Sequence, residues 1–132
     1  METSTIINYI LWGVIIVWAV YELVQYFRRK NAAVELPQEE FSKKLRKVQL
    51  VDVREKDEFD AGHILGARNV PYSMLKQRIT DFRKDQPIYL YDENQTISKR
   101  TALKLRKAGY TDIYTLKGGY KKWTGKIKRK AR

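Results

Sequence analysis

The sequence predicts an α/β fold: a mostly parallel sheet flanked by helices and preceded by a single transmembrane helix. Three observations carry this. The runs VQLVDV, IYLY and IYTL are of strand length and nearly continuously apolar, as strands buried on both faces are. Segments with helical spacing lie between them, and strands alternating with helices make parallel sheets. Ahead of all of these, residues 3–21 contain no charged side chain. The expected organisation is an anchor over residues 1–30, a domain over 31–125 and a basic tail over 126–132.

The apolar character of the first segment runs on to Arg28. As a helix, residues 6–27 would be about 33 Å long, enough for the hydrocarbon core of a bilayer. Tyr9 and Trp12 toward one end, and Tyr21 and Tyr26 toward the other, suit the two interfaces. A helix apolar on all faces belongs in lipid or in a large interior, and this chain is small. A cleaved signal peptide would need a basic start and a small-residue cleavage site, and neither is seen. Arg28, Arg29 and Lys30 follow the span and no Lys or Arg precedes it. The positive-inside rule then puts the N-terminus outside and the body in the cytoplasm, as a single-pass protein of the cell membrane. Gly13 has Tyr9 and Val17 four residues to either side, so no small-residue dimer motif is built on it.

After a connector over residues 31–36, which can enter a first strand, Pro37 suits a helix start. Phe41 and Leu45 share one face of a helix predicted over residues 37–47. Residues 48–53 form the next strand, 55–60 a helical turn, and 67–70 a short strand ended by Pro71. Residues 72–82 have helical spacing through Met74, Leu75, Ile79 and Phe82. Residues 87–91 are a strand. A helix over 97–108 places Ile97, Thr101, Leu105 and Ala108 on one side, and 112–116 is the last strand.

The 132 residues carry 27 Lys and Arg against 15 Asp and Glu, a net charge of +12. Only Glu2 and Glu22 lie before Arg28, so residues 28–132 carry 27 − 13 = +14. Attached to a membrane, such a body is drawn to anionic headgroups; nucleic acid is a weaker expectation. Lys126 to Arg132, KIKRKAR, can lie on the leaflet or remain a solvated tail. With no cysteine, disulfides, thiolate ligands and cysteine nucleophiles are excluded. His63 is the one histidine, so no usual zinc set can be assembled. No metal and no cofactor are expected.

Three segments in order, VDVREKDEFDAGHILGARNVP, IYLYDENQTISKRTALKLRKAGY and LKGGYKKW, resemble a rhodanese domain over nearly the whole soluble body. The D-x-R of that family is matched by Asp52 and Arg54. Its E-[FY]-x-x-G-H-I-x-G-A-x-N-[IV]-P run is matched through Glu58, Phe59, Gly62, His63, Gly66, Asn69 and Pro71, with Leu65 where proline is frequent. The closing L-x-G-G-x-x-x-W is matched by Leu116, Gly118, Gly119 and Trp123. These residues are expected to be structural. The glycines permit tight turns, His63 belongs to its turn, Asp52 and Arg54 brace loops, and Trp123 covers the core.

The resemblance implies that active members hold a cysteine persulfide at the end of the central strand, in a ring of backbone N–H groups. Asp92 stands at that position here, as in some non-catalytic members. Sulfur transfer needs a soft nucleophile that makes and breaks S–S bonds, which a carboxylate cannot do. In the loop Asp92, Glu93, Asn94, Gln95, Thr96, Ile97, Ser98, the Asp92 carboxylate is expected to take N–H bonds at the helix N-terminus. Asn94 is expected to be the left-handed residue, and Thr96 or Ser98 the cap. Two acids at the mouth would repel a free phosphate. The leading expectation is a membrane-anchored, catalytically inactive binding or regulatory module with a protein partner. The competing one is an enzyme that uses Asp92, or a partner's thiol, in other chemistry.

Overall fold

The computed structural model describes residues 2–30 and 33–130, without the side chains of residues 28–30. The positions of the Arg28, Arg29 and Lys30 side chains, the connector at Asn31 and Ala32, and the last two residues of the tail therefore lie outside the described residues. The chain divides into two compact units, Met1–Asn31 and Ala32–Arg132.

The first unit is a single helix, α1, Thr3–Lys30. Its stretch Thr3–Phe27 is long and apolar enough to cross a membrane, with none of it buried. That statement rests on length and composition, and a signal sequence has the same character.

The second unit is built on a five-stranded sheet in the order β1-β6-β5-β2-β4, with every pairing parallel. Its strands are β1 (Val34–Leu36), β2 (Gln49–Asp52), β4 (Arg68–Asn69), β5 (Ile88–Tyr91) and β6 (Ile113–Leu116). The helices are α2 (Gln38–Ser42), α3 (Lys56–Ala61), α4 (Leu75–Arg78) and α5 (Thr96–Lys107). The two faces of the sheet make separate cores. On β5, Ile88 and Leu90 join Val51, Leu105 and Ile113 in one. Tyr89 and Tyr91 join Phe41, Leu50 and Leu116 in the other. Alternate side chains of one strand thus enter opposite layers, and burial on both faces is why the strands read as continuous apolar runs.

Four expectations are corrected. The helix predicted over 37–47 ends at Ser42; a 3₁₀ turn, Leu45–Lys47, follows it. The helix predicted over 72–82 is a 3₁₀ turn, then α4, then another 3₁₀ turn. Its continuation is pre-empted by side chains. The Tyr110 hydroxyl lies 2.9 Å from the carbonyls of both Ile79 and Phe82, which share its one proton, and the Arg83 N–H donates to Gln49 Oε1. On α5 the buried positions are Ser98, Thr101, Ala102 and Leu105, and Ala108 is exposed. The tail does not separate from the domain at Lys126. There, β7 (Ile127–Lys128) pairs antiparallel with β3 (His63–Ile64) in a second small sheet. The Lys130 N–H donates to the Asp60 carbonyl at 3.0 Å. The pairing is made by backbone groups, and a five-residue basic run with one isoleucine shows no strand pattern.

Candidate functional site

Parallel sheets gather loops at the carboxyl ends of their strands, where binding crevices form. In this sheet the register sets Asp52 opposite Tyr91, so the ends of β2 and β5 lie side by side. The loops after β2, β5 and β6 converge there.

Asp92 leaves β5 buried, with 2% of its surface exposed. Its Oδ2 accepts the Ile97 N–H at 2.9 Å, and its Oδ1 has no partner. The carboxylate therefore serves the first turn of α5, where orphan N–H groups and the helix dipole favour negative charge. The Thr96 N–H goes to Asn94 Oδ1 at 3.2 Å. Caps thus come from Asp92 and Asn94, correcting the expectation for Thr96 or Ser98; the Ser98 hydroxyl instead donates back to the Gln95 carbonyl. The left-handed residue is Gln95, at φ 79°, not Asn94. An anchor compensates for that backbone: Gln95 Oε1 accepts the Gly118 N–H at 2.9 Å.

The loop after β6 is fastened along the Asp92 loop. The Tyr120 N–H donates to the Asp92 carbonyl at 2.8 Å and the Lys121 N–H to the Glu93 carbonyl at 3.1 Å. Gly119, at φ +69°, makes the approach possible, because a Cβ there would run into the Glu93 carbonyl.

The loop after β2 supplies the charge. Arg54 and Asp52 form a buried pair, Nη2 to Oδ2 at 2.8 Å and Nε to both carboxylate oxygens. The Arg54 guanidinium also donates to the Gly62 carbonyl, lies 4.2 Å from the Tyr120 ring centroid and reaches Glu93 at 3.5 Å. Burial pulls its pKa down, but the Asp52 hydrogen bond and charge more than offset this and leave it above the ordinary value. Asn69 holds the same turn by donating to the carbonyls of Asp52 and Arg54.

Of the remaining motif residues, His63, Gly66, Pro71 and Trp123 are outside the cleft that Asp92 lines. His63 Nδ1 lies 2.7 Å from the Phe59 carbonyl and the ring stacks on Phe59 at 3.7 Å. Gly66, at φ +92°, lies between β3 and β4. Pro71 precedes the 3₁₀ turn at Tyr72. Trp123 packs edge-on to Phe41. Glu58 is exposed on α3 and lines a cleft of about 540 Å³ together with Arg54, Tyr72, Asp92, Glu93 and Ile97. Among the described residues no cluster could hold a metal ion.

Two tyrosines complete this region: Tyr91, which no sequence motif singles out, and Tyr120, whose ring the sequence offers with Trp123 as a stacking face. Tyr91 is fully buried, and its hydroxyl accepts the Ile64 N–H at 2.9 Å. Burial first, then the charge of Asp52, push its pKa far above the ordinary value. Tyr120 is the platform under Arg54. The available signal was a phenol at the end of a wholly buried strand, since a buried tyrosine oxygen needs a partner.

Comparison with known proteins gives a consistent set of likenesses. The family model described as rhodanese-like domain matches residues 37–126. The Bacillus subtilis protein YqhL is 50% identical over 123 residues, covering 93% of this chain and 98% of its own. The thiosulfate sulfurtransferase GlpE of Shewanella oneidensis is 33% identical over 78 residues, 59% of this chain and 77% of its own. A rhodanese-like domain protein from Staphylococcus aureus superposes with a TM-score of 0.68 at 24% identity, over 74% of this chain and 99% of that one.

Proposed function

Because the chain belongs to the rhodanese-like domain family, we propose that it is a catalytically inactive member held at a membrane, acting as a binding or regulatory module. One observation carries this. The loop after β5, where the family's sulfur-carrying cysteine is expected, holds a buried aspartate tied to the first turn of α5, in a chain with no cysteine. Asp92 accepts at the first turn of α5 an N–H bond of the kind a persulfide would take, and a carboxylate cannot carry sulfane sulfur. A covalent role for Asp92 is disfavoured by the same geometry, because one carboxylate oxygen is committed to the Ile97 N–H.

The anchor in this proposal is α1, an apolar helix with no charge over residues 3–21 and Arg28, Arg29 and Lys30 after it. The positive flank supports an outside N-terminus and a cytoplasmic body. The partner is a protein, met through the Asp92 loop or the basic surface.

The decisive assay is thiosulfate-to-cyanide sulfur transfer by the purified full chain in detergent. Thiocyanate at the level of the protein-free blank is expected; turnover above the blank overturns the proposal.

A further inference from the structure

The cleft beside the Asp92 loop inverts the sign of the chain around it. Its lining holds four acids, Glu55, Glu58, Asp92 and Glu93, and one base, Arg54, on a chain of net charge +12. The base is already committed, since three hydrogen bonds run from the Arg54 side chain to Asp52. Glu55 is held by the Ser73 hydroxyl, and Glu93 shares Arg54 at 3.5 Å. The Glu58 side chain has no hydrogen bond or ion pair among the described residues. The independent sign of a ligand is Asp92 itself. Asp92 lines the cleft, is 2% exposed, and keeps one carboxylate oxygen, Oδ1, buried with no donor. A buried carboxylate oxygen without a donor is costly, and a donor entering from the cleft would relieve it.

The chemistry of the walls narrows the occupant. An anion meets the wrong charge. A metal ion would need a cluster of ligands that the described residues do not form. Val53, Tyr72 and Ile97 give the cleft an apolar side. A group with an alkyl stem and a cationic, hydrogen-donating head matches both features. We propose that the cleft takes a basic side chain, lysine or arginine, presented by a partner polypeptide. The stem lies along Val53, Tyr72 and Ile97, and the head meets Glu58 and the free oxygen of Asp92. This rests on the binding-module proposal above and names the chemistry of its partner.

The test uses the full chain in nanodiscs of neutral phosphatidylcholine, so that basic probes find no anionic lipid. The probes are fluorescein-labelled alanine pentapeptides with one central lysine, arginine, norleucine or glutamate, read by anisotropy. Binding of a basic peptide at least about tenfold tighter than the norleucine and glutamate peptides is expected, with the preference reduced about tenfold by Glu58→Gln. The lysine-to-arginine ratio identifies the head group. Glu58 is exposed, so that variant does not disturb the core; Asp92→Asn, which alters a helix cap, is the second variant and should also weaken the basic peptides. Equal binding of norleucine, unchanged affinity in Glu58→Gln, no binding of either basic peptide, or displacement by magnesium at equal concentration overturns the assignment. Any of these together with a silent thiosulfate assay removes the basic-side-chain assignment alone, whereas thiocyanate formation removes the binding-module proposal beneath it.

Discussion

Gly119 and Gly66 both have positive φ, yet their surroundings differ. A Cβ on Gly119 meets the backbone of Glu93 and Asn94, whereas nothing lies within 4 Å of one on Gly66. Backbone atoms cannot swing aside as a flexible side chain can. Gly119→Ala is therefore expected to destabilise the domain by about 2–4 kcal/mol, through strain plus displacement of the Asp92 loop. Gly66→Ala is expected to cost only about 1 kcal/mol, the strain alone. Chemical denaturation of the two variants, followed by circular dichroism, checks the ranking; equal costs would mean that the two loops do not clamp. The sequence places both glycines in turns and does not rank them, because the ranking depends on which distant carbonyl faces each one.

At the scale of elements, Tyr91 joins β5 to β3 through one hydroxyl that accepts the Ile64 N–H. Its raised pKa means that the fold favours the neutral phenol. The sign follows directly. The contribution is fully present below the unfolded tyrosine value of about 10 and is lost as the pH climbs beyond it. Tyr91→Phe is expected to lower stability at neutral pH by about 1–2 kcal/mol, because the Ile64 N–H loses its acceptor. The variant should also lose less stability than the parent above pH ~10. Parallel slopes for the two proteins in alkaline denaturation would sink this account. The strands themselves were legible, because burial on both faces leaves a continuous apolar run in IYLY and IYTL. The broken segment from Tyr72 to Asp81 was not, because side chains of Tyr110 and Gln49, far along the chain, take the groups a helix would have used. The Asp52–Arg54 brace was legible as a D-x-R at a strand end. The left-handed Gln95 was not, because its anchor is the amide of Gly118, 23 residues later.

For the whole molecule, the exposed apolar residues of α1 set the main physical demand. If α1 spans a bilayer, the full chain should stay with membranes through alkaline carbonate and leave them only in detergent, and its mass should show the first residues retained. Release by carbonate, or a product shortened by the length of the helix, would replace the anchor with a peripheral association or a signal sequence. The charge distribution has a related consequence. The body's +14 over residues 28–132 is screened over about 8 Å at physiological salt, so any pull toward an anionic leaflet would act only close to that surface.

The fastening between the loops after β5 and β6 bears on how such a site changes over evolutionary time. Three bonds, from Gly118, Tyr120 and Lys121, fix Gln95, Asp92 and Glu93 in a single register. One inserted residue between Asp92 and Gln95 would break that register at several points together, while exchanging the side chain at position 92 leaves the two carbonyl bonds in place. Drift here is channelled into substitution and away from changes of length. A loop of this kind can lose one chemistry and acquire another without being rebuilt.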